Sequence, residues 1–293
     1  MKVAIYGRKL TDENKESVEK LFQSLKNKDA DIYVHTKFQL ELDNRITALD
    51  NAKSFTSYED LDANFDVFIS LGGDGTILEA VTLVRDLNIP ILGINTGRLG
   101  FLSNTRTDEI QYAVDCISNG EYKLDKRTLL EVNTASNLFG DINFALNELS
   151  ILKRDSSSMI TIQTYIDGDY LNSYWADGLI ISTATGSTAY SLSCGGPIIM
   201  PGTGNFTITP IAPHNLNVRP IVIADSSILK FTVKSRSKQN LLALDFRSKI
   251  ITSKETITVQ KADFTIALMQ LPNQSFISSL RNKLNWGLDQ RNK

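Results

Sequence analysis

The chain has 293 residues, 42% of them hydrophobic and 22% charged, a balance that suits one or two packed domains and argues against long disordered regions. Its formal net charge of −2 leaves no basic footprint, which excludes nucleic acid as a partner and requires any phosphorylated ligand to be held by local devices. Cys116 and Cys194 are too few for a disulfide framework and lack metal-ligand spacing, and no run of about 18 apolar residues occurs, so the expectation is a cytoplasmic protein with no membrane partner.

The first 120 residues alternate short apolar runs with amphipathic stretches, the pattern of β-α units around a mostly parallel sheet. MKVAIYG reads as the first strand. Val18, Leu21, Phe22 and Leu25 then recur at helical spacing and mark one face of a helix. DIYVHT, DVFISL and IPILGIN read as further strands, with His35 a strand residue. Between the last two, Ile77, Leu78, Val81, Val84 and Leu87 share a helical face, so GGDG lies at a strand-to-helix junction. Ile110, Ala113, Val114 and Ile117 predict another helix, ended by Asn119-Gly120.

From about Asp125 the grammar changes to successive β-type runs: TLLEVNTA, INFALNELSIL, MITIQTYIDG, YLNSYWADGLIIS, FTITPIA, PIVIAD, ILKFTVK, LLALDF and TITVQKADFTIALMQ. Asp167-Gly168 is a good hairpin turn. The tail returns to helical spacing through Phe276, Ile277, Leu280 and Leu284, with Ser275 as N-cap and Gly287 as stop. The expectation is an α/β domain over 1–124 carrying GGDG, a β-sandwich-like domain over 125–272, and a C-terminal helix over 273–293 that docks back on the first domain.

Gly72, Gly73 and Gly75 surround Asp74 just after the strand DVFISL. Glycine there lets a phosphate approach the backbone, and the following helix aims its first N–H groups at the same anion. A carboxylate in such a turn repels its ligand unless it takes a proton from an attacking hydroxyl or holds the Mg²⁺ that neutralises the phosphates. The plain alternative is a tight turn whose Asp caps the helix. There is no G-x-x-x-x-G-K-[ST], and no G-x-G-x-x-G follows the first strand, so this is neither a P-loop nor a dinucleotide fingerprint.

GGDGT is shared by several kinase families, among them the NAD kinases, the diacylglycerol and sphingosine kinases and, as GGDGS, the phosphofructokinases. Three later segments choose among them. NTGRLGFLSN at 95–104, ALNELSILKR with its Asn147-Glu148 pair, and DGLIISTATGSTAYSLSCGGPI at 177–198 together resemble the NAD kinases, in order, through most of the chain. The last segment is also too polar and too rich in small residues to be core. Thr185, Ser187, Thr188, Ser191 and Ser193 offer hydroxyls and Tyr190 a flat ring, although a Ser/Thr-rich loop can equally satisfy its own backbone.

The resemblance implies an enzyme that transfers the γ-phosphoryl group of ATP, or of polyphosphate, to the adenosine 2′-hydroxyl of NAD, giving NADP. It implies Mg²⁺ or another divalent cation accompanying ATP, with no resident metal site. By resemblance Asp74 accepts the proton from the 2′-hydroxyl, and Gly72, Gly73 and Gly75 line the phosphates. Asn147 and Glu148 hold ribose or base, and Asp177 contacts the nicotinamide end, in the family sometimes across a subunit boundary. Thr188, Ala189, Tyr190, Ser191, Leu192 and Ser193 form the adenine and ribose cradle, with Gly75, Ala212 and Arg247 further NAD contacts. A homo-oligomer, dimer or tetramer, is implied as well.

Ala184 stands where the family most often has proline, which removes a φ constraint without removing a contacting group. Glu79, one turn beyond Asp74, receives no role. His214, in a turn-rich stretch, is a candidate for ligand proximity. Arg98, Arg106, Lys126, Arg127, Lys153 and Arg154 are expected on solvated surface. No G-x-S-x-G supports a serine hydrolase. Two other readings remain at this point: a lipid or sugar-phosphate acceptor, which requires an apolar or strongly basic site that 183–193 does not offer, and an NAD-binding sensor without turnover.

Overall fold

The computed structural model describes residues 1–43, 45–46, 51–97, 100–154, 158–237 and 239–286. The chain divides into two compact units, 1–126 with 266–293, and 127–265.

In the first unit, β1 (Lys2–Gly7), β2 (Asp31–His35), β3 (Lys53–Phe55), β4 (Val67–Leu71) and β5 (Ile91–Asn95) form a parallel sheet in the order β3-β2-β1-β4-β5. Every residue of β4 and β5 is buried, the signature of parallel strands covered on both faces. Helix α1 (Asp12–Lys26) starts at Thr11, whose side chain takes the Asn14 N–H while the Asn14 side chain takes the Thr11 N–H. Its buried face is Val18, Leu21, Phe22 and Leu25, as the spacing predicts. A second helix, α2 (Thr36–Leu42), follows β2 directly, and His35 both ends the strand and caps that helix by accepting the Lys37 N–H. Helix α3 (Asp74–Val84) begins at the glycine turn. It ends earlier than the apolar spacing suggests, because Arg85 turns to φ 48; Leu87 lies beyond it, and Leu78 is half-buried while Ala80 takes the inward place.

Beyond β5, β6 (Thr105–Arg106) pairs parallel with it, and α4 (Ile110–Asn119) closes at Gly120, φ 70. Late in the chain, α6 is the helix Phe276–Leu284, capped by Ser275 and ended by Asn285 in the left-handed region. Gly287, the expected stop, lies outside the described residues. Between α4 and α6 come β7 (Lys123–Thr134), β8 (Phe144–Ala145), β9 (Glu148–Lys153), β10 (Ile160–Ile166), β11 (Asp169–Ala176), β12 (Gly178–Thr183), the one-turn α5 (Tyr190–Ser193), β13 (Asn205–Ile211), β14 (Ile221–Ala224), β15 (Leu229–Lys234), β16 (Asn240–Leu244), β17 (Arg247–Ile251) and β18 (Thr256–Gln270).

The second unit is built from two antiparallel layers. One has the order β14-β13-β12-β9-β16-β17, and the other carries β11-β10-β15 against the first half of β18. Leu149, Ile151, Leu179, Ile181, Phe206 and Ile208 share one core with Ile160, Ile162, Leu229, Phe231 and Val259. Buried and open positions alternate along β10, β15 and β16, so their inward residues line this core. Asp167 (φ 51) and Gly168 (φ 92) make the β10-β11 hairpin, as their identity predicts. Two runs read as continuous strands are interrupted, INFALNELSIL at Leu146-Asn147 and YLNSYWADGLIIS at Asp177. Both interruptions fall at residues singled out above for a ligand.

Candidate active site

The strand order 3-2-1-4-5 reverses between β1 and β4, so the carboxyl ends of these two strands lie at the switch point, where open α/β sheets take their ligands. Leu71 of β4 lies opposite Gly7 of β1, and the chain then turns through Gly72 at φ 150. A Cβ on Gly72 would collide with the Thr76 side chain, so only glycine permits this turn.

Asp74 is the first residue of α3, and its carboxylate is held by three consecutive backbone N–H groups. Phe101 donates to Oδ2 at 2.8 Å, while Leu102 and Ser103 donate to Oδ1 at 3.0 and 2.9 Å. The Ser103 hydroxyl donates in turn to the Gly72 carbonyl at 2.9 Å, closing the loop onto the turn. Gly100 must be glycine, since a Cβ there would occupy the place of the Asp74 carboxylate. Gly93 of β5 plays a similar part, because a Cβ would strike Ile77 and Ser103. Three N–H groups aimed at one carboxylate are invisible in the letters of residues 100–103. Arg98 lies outside the described residues.

Glu79 is not idle. Both its oxygens are occupied, by Tyr6 Oη at 2.5 Å and by the Arg8 guanidinium at 2.9 and 2.8 Å. Burial, then the bond to Glu79, pushes the Tyr6 phenol up, so it stays a neutral donor. The signal that could have found Tyr6 and Arg8 is their position at the carboxyl end of the first parallel strand.

In the second unit the Asn147-Glu148 pair sits at the break between β8 and β9. Asp245 fixes it: this carboxylate accepts the N–H groups of Leu146, Asn147 and Glu148 at 2.9, 3.0 and 3.1 Å. The Asp245 N–H returns a bond to the Glu148 carbonyl at 3.0 Å. Burial pushes the Asp245 carboxyl up, opposed by the three N–H donors and by Arg247. Glu148 is pushed up to about 8, by burial first and the neighbouring Asp245 second, with the Tyr190 N–H pulling the other way. One Glu148 oxygen is buried and has no partner among the described residues.

The cradle residues divide. Ser191 is fully buried and bonds Thr209 at 2.9 Å; Ser187 is spent on the Ala184 and Ile199 carbonyls; Thr188 donates to the Thr185 carbonyl. Tyr190 and Ser193 are exposed, with Thr188, Ala189 and Leu192 half-buried beside them. Tyr190 lies within the field of Cys194, Glu148 and Asp177, which adds to the effect of burial in raising its phenol. Asp177, at the β11-β12 break, pairs with Lys153 at 2.6 Å and donates its N–H to the Ile211 carbonyl, next to Ala212 at φ 44. Asn147 and Glu148 thus lie at the Ser182 end of β9 and β12 and Asp177 at the opposite end, facing Lys153, with Tyr190 in the field of both Glu148 and Asp177.

The terminal nitrogens of Arg247 bond the Ile142 and Phe144 carbonyls, and burial lowers its pKa. His214 stacks against Trp175 with ring centroids 4.3 Å apart. Two of the cations expected on solvated surface are not there. Arg127 is buried and donates to Thr185 Oγ1 at 3.1 Å, and Lys153 is drawn in by Asp177. No helix among the described residues is long and apolar enough to cross a membrane.

A glycine turn at a switch point, with a fixed carboxylate at the start of its helix, is an arrangement suited to phosphoryl transfer. Models of the ATP-NAD kinase N-terminal and C-terminal domains match residues 3–122 and 146–271. The NAD kinase of Cytophaga hutchinsonii is 48% identical over 290 residues, 99% of each chain, and that of Flavobacterium psychrophilum is 45% identical over the whole of both. A yeast NADH kinase solved with NADH superposes with a TM-score of 0.85 at 25% identity, over 98% of this chain and 88% of that one. An Archaeoglobus fulgidus NAD kinase solved with ATP shares the fold, with a TM-score of 0.74 at 24% identity over 97% and 99% of the two chains. The chain belongs to the NAD kinase family, enzymes of ATP-dependent NAD phosphorylation.

Proposed function

We propose that the enzyme transfers the γ-phosphoryl group of ATP, bound as its Mg²⁺ complex, to the 2′-hydroxyl of the adenosine ribose of NAD. The observation that carries this reading is the Asp74 carboxylate, immobilised by Phe101, Leu102 and Ser103 at the mouth of the Gly72–Gly75 turn. A carboxylate is a weak base toward a ribose hydroxyl, so Asp74 accepts the proton late, as the bond to phosphorus forms. Its rigid placement supplies alignment, while the metal neutralises charge on the phosphoryl oxygens. Mg²⁺ keeps phosphate and water ligands and needs only one or two carboxylates from a protein. The single Asp74 carboxylate beside a phosphate-binding turn fits a metal that arrives with the donor.

On this reading the polar residues of the β-rich unit select the acceptor. Asn147 and Glu148 take ribose or base, Tyr190 offers its exposed ring to a planar base, and Asp177 serves the nicotinamide end. Ser191 and Arg247 act from behind, holding the loop and the strand end in place. The enzyme works in the cytoplasm as a homo-oligomer. Incubation with Mg-ATP and NAD, with the product's phosphate located by NMR, tests the reaction. Phosphate at any position other than the 2′ oxygen overturns it, and polyphosphate in place of ATP defines the donor range. Light scattering that finds a fully active monomer removes the oligomer.

A further inference from the structure

The cluster that this reaction leaves unused is Arg8, Tyr6 and Glu79, packed against the glycine turn. Arg8 follows directly on β1, at the sheet's switch point, and its guanidinium lies over Gly75: a Cβ there would meet Nη2 at 3.4 Å and Nη1 at 3.7 Å. Glu79 holds one edge of the fork, taking Nε at 2.9 Å and Nη2 at 2.8 Å, and the Gly75 carbonyl takes Nη2 at 3.1 Å. Tyr6 completes the shell of Glu79, so the carboxylate cannot swing away without losing a 2.5 Å bond.

A guanidinium has five N–H donors. Three of those of Arg8 are engaged, and both hydrogens of Nη1 have no hydrogen-bond partner among the described residues. The side chain is 50% exposed, so as a bridge between strand and helix the ion pair adds little to stability. Glu79, itself held by Tyr6, and the Gly75 carbonyl nevertheless fix its orientation, with the open edge beside Gly75, one residue from Asp74. Fixing the fork is what recognition of a phosphate oxygen requires, since a planar guanidinium selects by direction as well as charge.

We propose that Arg8 is the residue that grips the phosphate chain of the phosphoryl donor through Nη1, with Glu79 and Tyr6 as its positioning residues. This rests on the reading of Gly72–Gly75 as the place where the donor's phosphates lie. Arg8 then sets affinity for the donor and leaves that for NAD alone. The same contact serves any donor with consecutive phosphates, a nucleoside triphosphate or a polyphosphate, because it does not touch a base.

The test uses the full chain, with equilibrium titration of a fluorescent methylanthraniloyl-ATP in Mg²⁺ and separate KM values for ATP and NAD. Arg8→Ala raises the Kd for the analogue and the KM for ATP about 10- to 100-fold, the size of a lost charge-assisted hydrogen bond, and moves the KM for NAD by less than about twofold. Glu79→Gln, which keeps the arginine but loosens it, raises the KM for ATP by roughly 3- to 10-fold. Arg8→Gln retains a donor toward Glu79 and decides the matter if Arg8→Ala does not fold. Unchanged analogue affinity in the arginine variants, or KM values for ATP and NAD that rise together, reduces Arg8 to a structural link and overturns the proposal. Wild-type protein that fails to bind the analogue at all sinks the donor-site reading instead.

Discussion

Two carboxylates in this molecule make the same set of bonds. Asp74 accepts the N–H groups of residues 101–103 and Asp245 those of residues 146–148, each at 2.8–3.1 Å. They differ in what surrounds them. Both residues are half-buried, but Asp74 stands at the start of a helix in a glycine turn, while the Asp245 carboxyl, pushed up by burial, lies between a strand break and the backbone-bound Arg247. On the proposed reaction the same geometry serves a reacting group in one unit and an anchor in the other. Surroundings, more than hydrogen bonding, separate the two.

The sharpest way to break that comparison is to remove each carboxylate. Asp245→Ala leaves three backbone donors unpaired beside a charged Arg247 and costs about 3–5 kcal/mol of stability, measured as a lowered urea midpoint at constant slope. Asp74→Asn lowers kcat by at least about 10²-fold, with a smaller change in NAD affinity by calorimetry, and a modest change in urea midpoint. Near-normal turnover in that variant removes Asp74 from the mechanism. If the two outcomes are exchanged, stability for Asp74 and rate for Asp245, the assignment of roles is reversed. Gly100→Ala is the next step down: it leaves the carboxylate chemistry intact but displaces it, and a misplacement of about 1 Å lowers kcat roughly 10- to 100-fold. Turnover unchanged by this substitution means that the cradle does not align Asp74.

The comparison also shows what a sequence discloses. Asp74 was legible because glycine on both sides is a statement about backbone, and three glycines after an apolar strand have few other uses. Asp245 reads as part of the strand LLALDF, because nothing in a lone Asp-Phe-Arg announces a left-handed turn at φ 52 or the distant N–H groups that it collects. β17 is hidden for a related reason: RSKII is too polar to show a strand's alternation, and its pairing with β16 is fixed by that turn. Helix α2 starts at the residue that ends β2, so no loop residues punctuate the change. The hydrophobic faces of α1 and α4, set by local periodicity, were legible residue by residue, whereas Arg127 and Lys153 went inward to meet partners far away in sequence, Thr185 and Asp177.

The smallest effect expected separates the two carboxylates by their neighbours. Asp245 crowds Glu148, and burial with that charge lifts Glu148 from its ordinary 4.5 to about 8. The folded state then binds more protons at this group than the unfolded chain wherever the pH lies between these two values. Stability from Glu148 is therefore complete below about pH 4.5 and declines as pH rises through about 8, the reverse of an ion-paired carboxylate. Screening at this half-buried site reduces the decline to on the order of 1 kcal/mol between pH 6 and 8. Glu148→Gln retains an oxygen for the Tyr190 N–H and removes the titration, so its urea midpoint changes less over this interval than that of the wild type. Equal pH slopes for the two proteins mean that Glu148 ionises normally and that Asp245 anchors the backbone without governing the charge of its neighbour.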